Sequence, residues 1–361
     1  MTDRVFNFYA GPATLPLPVL KEAKKDLLNY KGTGMSVMEM SHRSKDYAEI
    51  HEKATNLVHD LMGLSDEYKV MWLQGGASTQ FYMAPLNLKQ KNKPFEYVDT
   101  GRWSTKAIKE AKFYSDVTVV ASSEDKNYSY IPKDISFSEN AAFAHITGNN
   151  TIVGTEFHNW PDTPGDVPLV CDMSSNIMDQ VIDPNKFGVI YAGAQKNIGP
   201  AGVTLVIVRK DLLNRVDENT PTMQKWSTHA KKDSLFNTGP CWAIYMCKLS
   251  LEYLKEFGGV KAMEQQNKKK ANMIYDVIDH SDGFYKGHAE KDSRSWMNIT
   301  FNLSSSELEE KCVAEASKRN LIGLKGHRSV GGMRASVYNA MSMEGVETLV
   351  EFLKKFQEDH Q

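Results

Sequence analysis

Between residues 64 and 210 short apolar runs alternate with helical patterns: Lys69–Leu73, Glu96–Asp99, Val117–Val120, Ala142–Ile146, Leu169–Cys171, Gly188–Tyr191 and Thr204–Val208. Runs of this length, rich in β-branched and aromatic residues, predict strands; their alternation with helices predicts an α/β fold of parallel strands with helical crossovers. After residue 104 a helix is expected, with Ser104 as its cap and Ile108, Ala111 and Lys112 at helical spacing. In open sheets of this kind the loops at the carboxyl ends of strands build the site. Gly75-Gly76, Trp103, Asp172 and Lys196 all follow predicted strands.

A helical stretch from Gly239 to Glu256 is broken by Phe257-Gly258-Gly259-Val260, which places a boundary between a large domain, 1–257, and a smaller α+β domain, 258–361. The closing segment puts Val346, Leu349, Val350, Leu353 and Phe356 on one helical face, as a docked helix does. Lys268-Lys269-Lys270 reads as a solvated helix face. Neither an internal repeat nor a G-x-G-x-x-G or P-loop sequence is found.

A chain of 361 residues has room for about two domains. Its 43 basic and 45 acidic side chains leave a net charge of −2, too small a field for nucleic acid or an anionic membrane. Anion recognition must therefore be local. Cys171, Cys241, Cys247 and Cys312 form no metal or disulfide pattern and read as reduced thiols, and no apolar leader or membrane-length run is present; a cytoplasmic location is expected.

Lys196 is flanked by small residues in Tyr191-Ala-Gly-Ala-Gln195-Lys196-Asn-Ile-Gly-Pro-Ala-Gly202, so its amine is left accessible for reaction. With Asp172 at the end of the preceding strand, it suggests a Schiff-base lysine and a pyridinium partner, the two groups that pyridoxal phosphate requires. Gly75-Gly76-Ala77-Ser78-Thr79 precedes a helix predicted from Gln80 to Leu88 and offers backbone and hydroxyl donors to a phosphate; a tight turn with an ordinary cap explains it equally well. Trp103 either stacks on a flat ring or staples onto Ile108. Two pairs, His42-Arg43 and His327-Arg328, suit a dianion, and Arg334 beside a glycine turn suits an α-carboxylate.

Together with Phe6-Asn-Phe-Tyr-Ala-Gly-Pro12, Gly34-Met-Ser-Val-Met-Glu-Met-Ser-His42-Arg43, Thr100-Gly-Arg-Trp103-Ser and Asn149-Asn-Thr151-Ile-Val-Gly, these motifs resemble the phosphoserine aminotransferases, class-V members of the fold type I pyridoxal phosphate enzymes. The likeness spans nearly the whole chain. It implies an aspartate-aminotransferase-like fold, a large domain with a mostly parallel seven-stranded sheet and a small C-terminal domain. By the same resemblance Lys196 holds one cofactor per subunit, Asp172 pairs with the ring nitrogen, Trp103 stacks, and Thr151 meets the ring hydroxyl. Ala77, Ser78 and Gln195 bind the phosphate, with Asn237 and Thr238 from a second subunit, which implies a homodimer with composite sites. Where some relatives carry arginine this chain has Ser78, so neutral donors carry more of the phosphate here.

The activity so implied is transfer of the amino group of L-glutamate to 3-phosphohydroxypyruvate, giving O-phosphoserine and 2-oxoglutarate in serine biosynthesis; whether 4-phosphohydroxythreonine of pyridoxine biosynthesis is also a substrate is left open by the sequence. Arg334 is expected at the α-carboxylate, and His42, Arg43, His327 and Arg328 at the distal anion. Competing readings are a related aminotransferase or a cysteine desulfurase, a dinucleotide-dependent dehydrogenase, and a cofactor-free binding protein. The desulfurase needs a cysteine on a mobile loop, and none is so placed.

Overall fold

A computed structural model describes residues 4–361. In chain order, β1 (Phe6–Asn7), α1 (Leu17–Lys25) and α2 (Lys45–Met62) lead to β2 (Tyr68–Leu73), after which α3 (Gly76–Leu88), β3 (Phe95–Asp99), α4 (Arg102–Ala111) and β4 (Val117–Ser122) alternate. Then come β5 (Phe143–Thr147), the hairpin β6 (Asn149–Asn150) and β7 (Thr155–Glu156), β8 (Leu169–Asp172), β9 (Val189–Gly193) and β10 (Thr204–Arg209). Helices α5 (Trp226–Lys231), α6 (Cys241–Glu256) and α7 (Gly259–Asp279) precede β11 (Lys286–Gly287), β12 (Asn298–Asn302), α8 (Ser306–Lys318), β13 (Leu321–Ile322), β14 (Met333–Ser336) and α9 (Met343–His360).

All seven predicted strands form and join one sheet in the order β2-β10-β9-β8-β5-β3-β4. Only β10 runs against its neighbours, so six strands point the same way. Every residue of β5, β8 and β9 is buried, which explains their continuous apolar runs: helices cover both faces. On one face α2 and α6 pack through Leu57, Val58, Ile244 and Leu251. On the other, α3 and α4 pack through Phe81, Ala84, Ala107 and Ile108.

Helical crossovers were expected throughout, but only α3 and α4 bridge consecutive strands of the sheet; the links from β4 to β9 are loops. Pro132, Pro161, Pro164, Pro168 and Pro184 fall in those links, and proline lacks the donor and steric room a helix interior needs. Two helix starts also differ from expectation. Helix α3 begins at Gly76, four residues before Gln80, and α4 begins at Arg102 after Gly101. Ser104 lies inside α4, where its hydroxyl donates to Asp99 Oδ1 (2.8 Å) and accepts from Thr100 N (2.9 Å), so it anchors the strand end and is not the cap.

A turn at Gly258 (φ 112°) and Gly259 (φ 76°) separates α6 from α7. Beyond it, β11, β12 and β14 form an antiparallel sheet over a core built from α7, α8 and α9, with Val346, Leu349, Leu353 and Phe356 buried as the sequence pattern requires. Phe8 joins this core, and β1 pairs in parallel with β13, so the N-terminal strand is stitched to the C-terminal unit. The lysine run departs from its reading as a solvated face. Lys268 pairs with Glu264, but Lys270 is fully buried and its amine donates to the carbonyls of Val337 (2.9 Å), Tyr338 (2.7 Å) and Met341 (3.3 Å).

Candidate active site

Because six strands are co-directional, the carboxyl ends of β2, β3, β5, β8 and β9 open onto one edge of the sheet. From β2 the chain enters α3 through Gly75, whose φ of 94° favours glycine; a Cβ there would lie 2.0 Å from Thr79 Oγ1. From β3 it enters α4 through Gly101, where a Cβ would meet Asn150 Oδ1 at 2.7 Å. Asn150 Nδ2 in turn donates to Thr100 Oγ1 (2.8 Å), which ties the end of β3 to the β6–β7 hairpin carrying Thr151.

Lys196 lies three residues beyond the end of β9. Its Nζ donates to Thr151 Oγ1 at 2.7 Å and sits 5.4 Å from the centroid of the Trp103 ring. Burial pulls this amine down to about 8; the Asp172 carboxylate resists the shift and Arg334 adds to it. The N-terminal segment covers the lysine stem, since a Cβ on Gly11 would come within 3.3 Å of Lys196 Cγ. The next residue, Asn197, is held on both sides: its Nδ2 donates to Ile177 O (2.6 Å) and its Oδ1 accepts from Asn339 N (2.9 Å).

Asp172 is buried, and its Oδ1 accepts both the amide (2.9 Å) and the hydroxyl (2.6 Å) of Ser174. Burial raises its pKa, opposed by those two donors and by Lys196. Among the described residues no protein donor meets Oδ2. Beside this strand end, His145 stacks on Tyr97 with centroids 4.6 Å apart and shares a 2.8 Å hydrogen bond with Tyr191 Oη; burial pushes its pKa to about 3, so it is neutral.

Two polar atoms near Lys196 are buried without a partner, Trp103 Nε1 and Arg334 Nε, while Arg334 Nη1 donates to the Thr151 carbonyl at 3.4 Å. A weakly basic amine, a carboxylate with one oxygen free and an indole beside the amine fit pyridoxal phosphate. Ala77 and Ser78 occupy the first turn of α3, where helical N–H groups lack intrahelical partners, a setting suited to its phosphate. Gln195 adjoins the lysine, and its side chain packs where a Cβ on Gly193 would be 2.7 Å from Oε1.

The remaining sequence candidates divide. His327 and Arg328 lie on the loop before β14 near Arg334: burial, then Arg102, Arg334, Arg328 and Lys106, all lower the pKa of His327. Asn237 lies beside the α3 loop, with Nδ2 donating to Gln74 Oε1 (3.0 Å), and Thr238 is exposed next to it. His42 and Arg43 stand before α2; among the described residues no hydrogen bond or ion pair joins them to Lys196, Arg334 or His327. Sequence reasoning missed Ser174, His145, Asn197, Arg102 and Lys106. Arg102 and Lys106 had no sequence signal, because the expected helix began after Ser104 and left Arg102 outside it; only on the observed α4 do they stand four apart on one face.

The chain belongs to the class-V aminotransferase family, whose pattern it matches over residues 5–349. It is similar to phosphoserine aminotransferases from Desulfatibacillum aliphaticivorans, 54% identical over 99% of both chains, and from Bacillus subtilis (strain 168), 52% identical over 99% of this chain and 100% of that one. Among solved structures it is similar to phosphoserine aminotransferase from Bacillus circulans subsp. alkalophilus (TM-score 0.98, 49% identity, 100% of both chains) and to the PLP-bound phosphoserine aminotransferase from Trichomonas vaginalis (TM-score 0.92, 37% identity, 97% of this chain and 100% of that one). The fold type I architecture expected from the sequence is thus present. All four cysteines are buried, which removes the basis for a desulfurase.

Proposed function

We propose that this aminotransferase uses pyridoxal phosphate to convert 3-phosphohydroxypyruvate and L-glutamate into O-phospho-L-serine and 2-oxoglutarate. Full-length identity of 50% or more to several phosphoserine aminotransferases supports the reaction. The observation that carries the chemistry is the Lys196 amine, brought to about 8 beside Asp172, Thr151 and Trp103. Near neutral pH such an amine has a substantial unprotonated fraction, which an ordinary lysine lacks.

The cofactor supplies an aldehyde for covalent capture of amino groups and a ring that accepts electrons. Lys196 would hold it, and the freed amine would take and return the proton at the substrate Cα. Asp172 would pair with the ring nitrogen through Oδ2, kept in place by Ser174 on Oδ1. Trp103 would cover the ring and exclude water, Thr151 would meet the ring hydroxyl, and Ala77, Ser78 and Gln195 would hold the phosphate. Arg334, anchored on the Thr151 carbonyl, would orient the substrate α-carboxylate. His327 and Arg328 would take the distal anion.

We further propose that the protein is a homodimer in which Asn237, Thr238, His42 and Arg43 complete the site of the other copy, because among the described residues no hydrogen bond or ion pair joins the His42-Arg43 pair to the lysine cluster within one chain. We assign residues 1–257 to the cofactor-binding domain and 258–361 to a smaller domain, with the N-terminal segment reaching the substrate site. A cytoplasmic location accords with the four free cysteines and with helices none of which, among the described residues, is long and apolar enough to cross a membrane.

Borohydride reduction of the loaded enzyme followed by peptide mapping tests this reading. One adduct on Lys196 and loss of phosphoserine formation in Lys196→Ala are expected; an adduct elsewhere overturns it.

A further inference from the structure

Four cations stand on α4 beside Trp103 or on the loop and strand that carry His327. Arg102 and Lys106 lie one turn apart on α4, a spacing that puts both on one helix face. Arg328 and Arg334 come from the loop before β14 and from β14 itself. Among the described residues none of the four is ion-paired with a carboxylate, and no hydrogen bond engages the side chains of Arg102, Lys106 or Arg328. Lys106 Nζ lies 4.4 Å from the Trp103 ring centroid, and Lys196 Nζ lies 5.4 Å from the same point, so α4 carries a free ammonium to the rim of the reactive lysine's pocket. Each of the four also lowers the pKa of His327. Arg102, Lys106 and Arg328 are exposed and solvated, but their common sign makes this rim attractive to an anion.

We propose that Arg102 and Lys106 extend the distal-anion site formed by His327 and Arg328, and that they select a phosphate-bearing substrate over one ending in a carboxylate. The proposal deepens the transamination reading and rests on it for the identity of the substrates. One site must accept both the phosphate of phosphoserine, close to two negative charges at neutral pH, and the single charge of the glutamate γ-carboxylate. Coulomb energy scales with ligand charge, so a cation that improves capture of the dianion about 10-fold improves capture of the monoanion only about 3-fold. Cations beyond the direct ligands thus bias the site toward phosphate. They favour glutamate as well, but by a factor that grows only as the square root of the gain for phosphate.

The test uses the holoenzymes of Arg102→Gln, Lys106→Gln, the double variant and Lys106→Arg. Single-turnover rates with O-phosphoserine and with glutamate are followed by cofactor absorbance at low and high salt, and the Kd of inorganic phosphate is measured directly. In the double variant phosphoserine capture should fall about 100-fold and glutamate capture about 10-fold, with a flatter salt dependence and weaker phosphate binding. Lys106→Arg should restore most of the loss. Equal losses for both substrates would assign these residues to holding Trp103 in place and overturn the proposal, as would unchanged phosphate binding. A wild-type enzyme that turns over glutamate but not phosphoserine would refute the substrate assignment instead, and the phosphate Kd of the variants would still decide the role of Arg102 and Lys106.

Discussion

Thr151 meets two cations at once: its hydroxyl accepts from Lys196 Nζ at 2.7 Å while its carbonyl accepts from Arg334 Nη1 at 3.4 Å. One residue of the β6–β7 turn therefore sets the spacing between the reactive amine and the guanidinium proposed for the substrate carboxylate. The turn is itself fixed to the end of β3 by the Asn150–Thr100 hydrogen bond, so the geometry of the reaction is inherited from the sheet.

The first prediction concerns the charges around Lys196 in the cofactor-free protein. The carboxylate of Asp172 raises the lysine pKa and the guanidinium of Arg334 lowers it, against a resting value of about 8. Asp172→Asn should shift the titration below that value, and Arg334→Gln should shift it above. Competitive labelling with acetic anhydride across pH 6 to 10, about two units either side of 8, read at the Lys196 peptide by mass spectrometry, measures both. Shifts of the same sign in the two variants would rule out an electrostatic origin.

Ser174→Ala removes the hydroxyl that donates to Asp172 Oδ1 at 2.6 Å and leaves the amide donor in place. A hydrogen bond to a carboxylate is worth roughly 1.5–3 kcal/mol, so the cofactor dissociation constant should rise about tenfold or more while the fold persists. Ser174→Thr, which keeps the hydroxyl, should stay near wild type. Equilibrium dialysis against pyridoxal phosphate distinguishes the two.

Much of this site was legible because the chemistry sits at strand ends, and the strands are continuous apolar runs buried on both faces. Helix starts were less so. Ser104 is a good capping residue by type, yet the turn at Gly101 begins the helix and frees the serine to hold Asp99. Lys270 departs from a solvated face for a physical reason: Val260, Met263, Asn267, Lys270, Ala271 and Ile274 are all buried on α7 at spacings of three and four, so the buried stripe passes through the third lysine of the run. Counting charges concealed what periodicity would have revealed. The proposed link between His42-Arg43 and the lysine cluster has no local signature, since among the described residues no hydrogen bond or ion pair joins them within one chain.

Gly101→Ala introduces a Cβ at φ 149° that would lie 2.7 Å from Asn150 Oδ1. Strain of this kind costs about 1–3 kcal/mol, and displacing Asn150 would also break its bond to Thr100. Lower stability and slower turnover are expected together. Adding Asn150→Ala should cost less than the sum of the two single changes, because the collision and the hydrogen bond share one side chain. Strict additivity in denaturant unfolding would place the effect elsewhere.

Lys270 yields the prediction with the clearest sign. Burial takes its amine from 10.5 in an exposed setting to about 7 in the folded protein, although three carbonyl acceptors favour the ammonium. With the folded pKa below the unfolded one, the unfolded chain binds more protons between those values, so this residue's contribution to stability is full above 10.5 and is lost as pH falls through about 7. Lys270→Met removes that dependence. Wild type should therefore gain on the variant between pH 7 and 10, by about 4 kcal/mol at most and by less to the extent that the carbonyls hold the proton. The variant also leaves the segment around Tyr338 and Asn339 without its central donor. Asn339 pins Asn197 beside Lys196, so turnover should fall even at a pH where the two proteins are equally stable. Urea unfolding of both proteins at several pH values, with single-turnover rates at each, separates the two effects. A stability difference that is flat across the window would mean that Lys270 keeps an ordinary lysine pKa in the folded state.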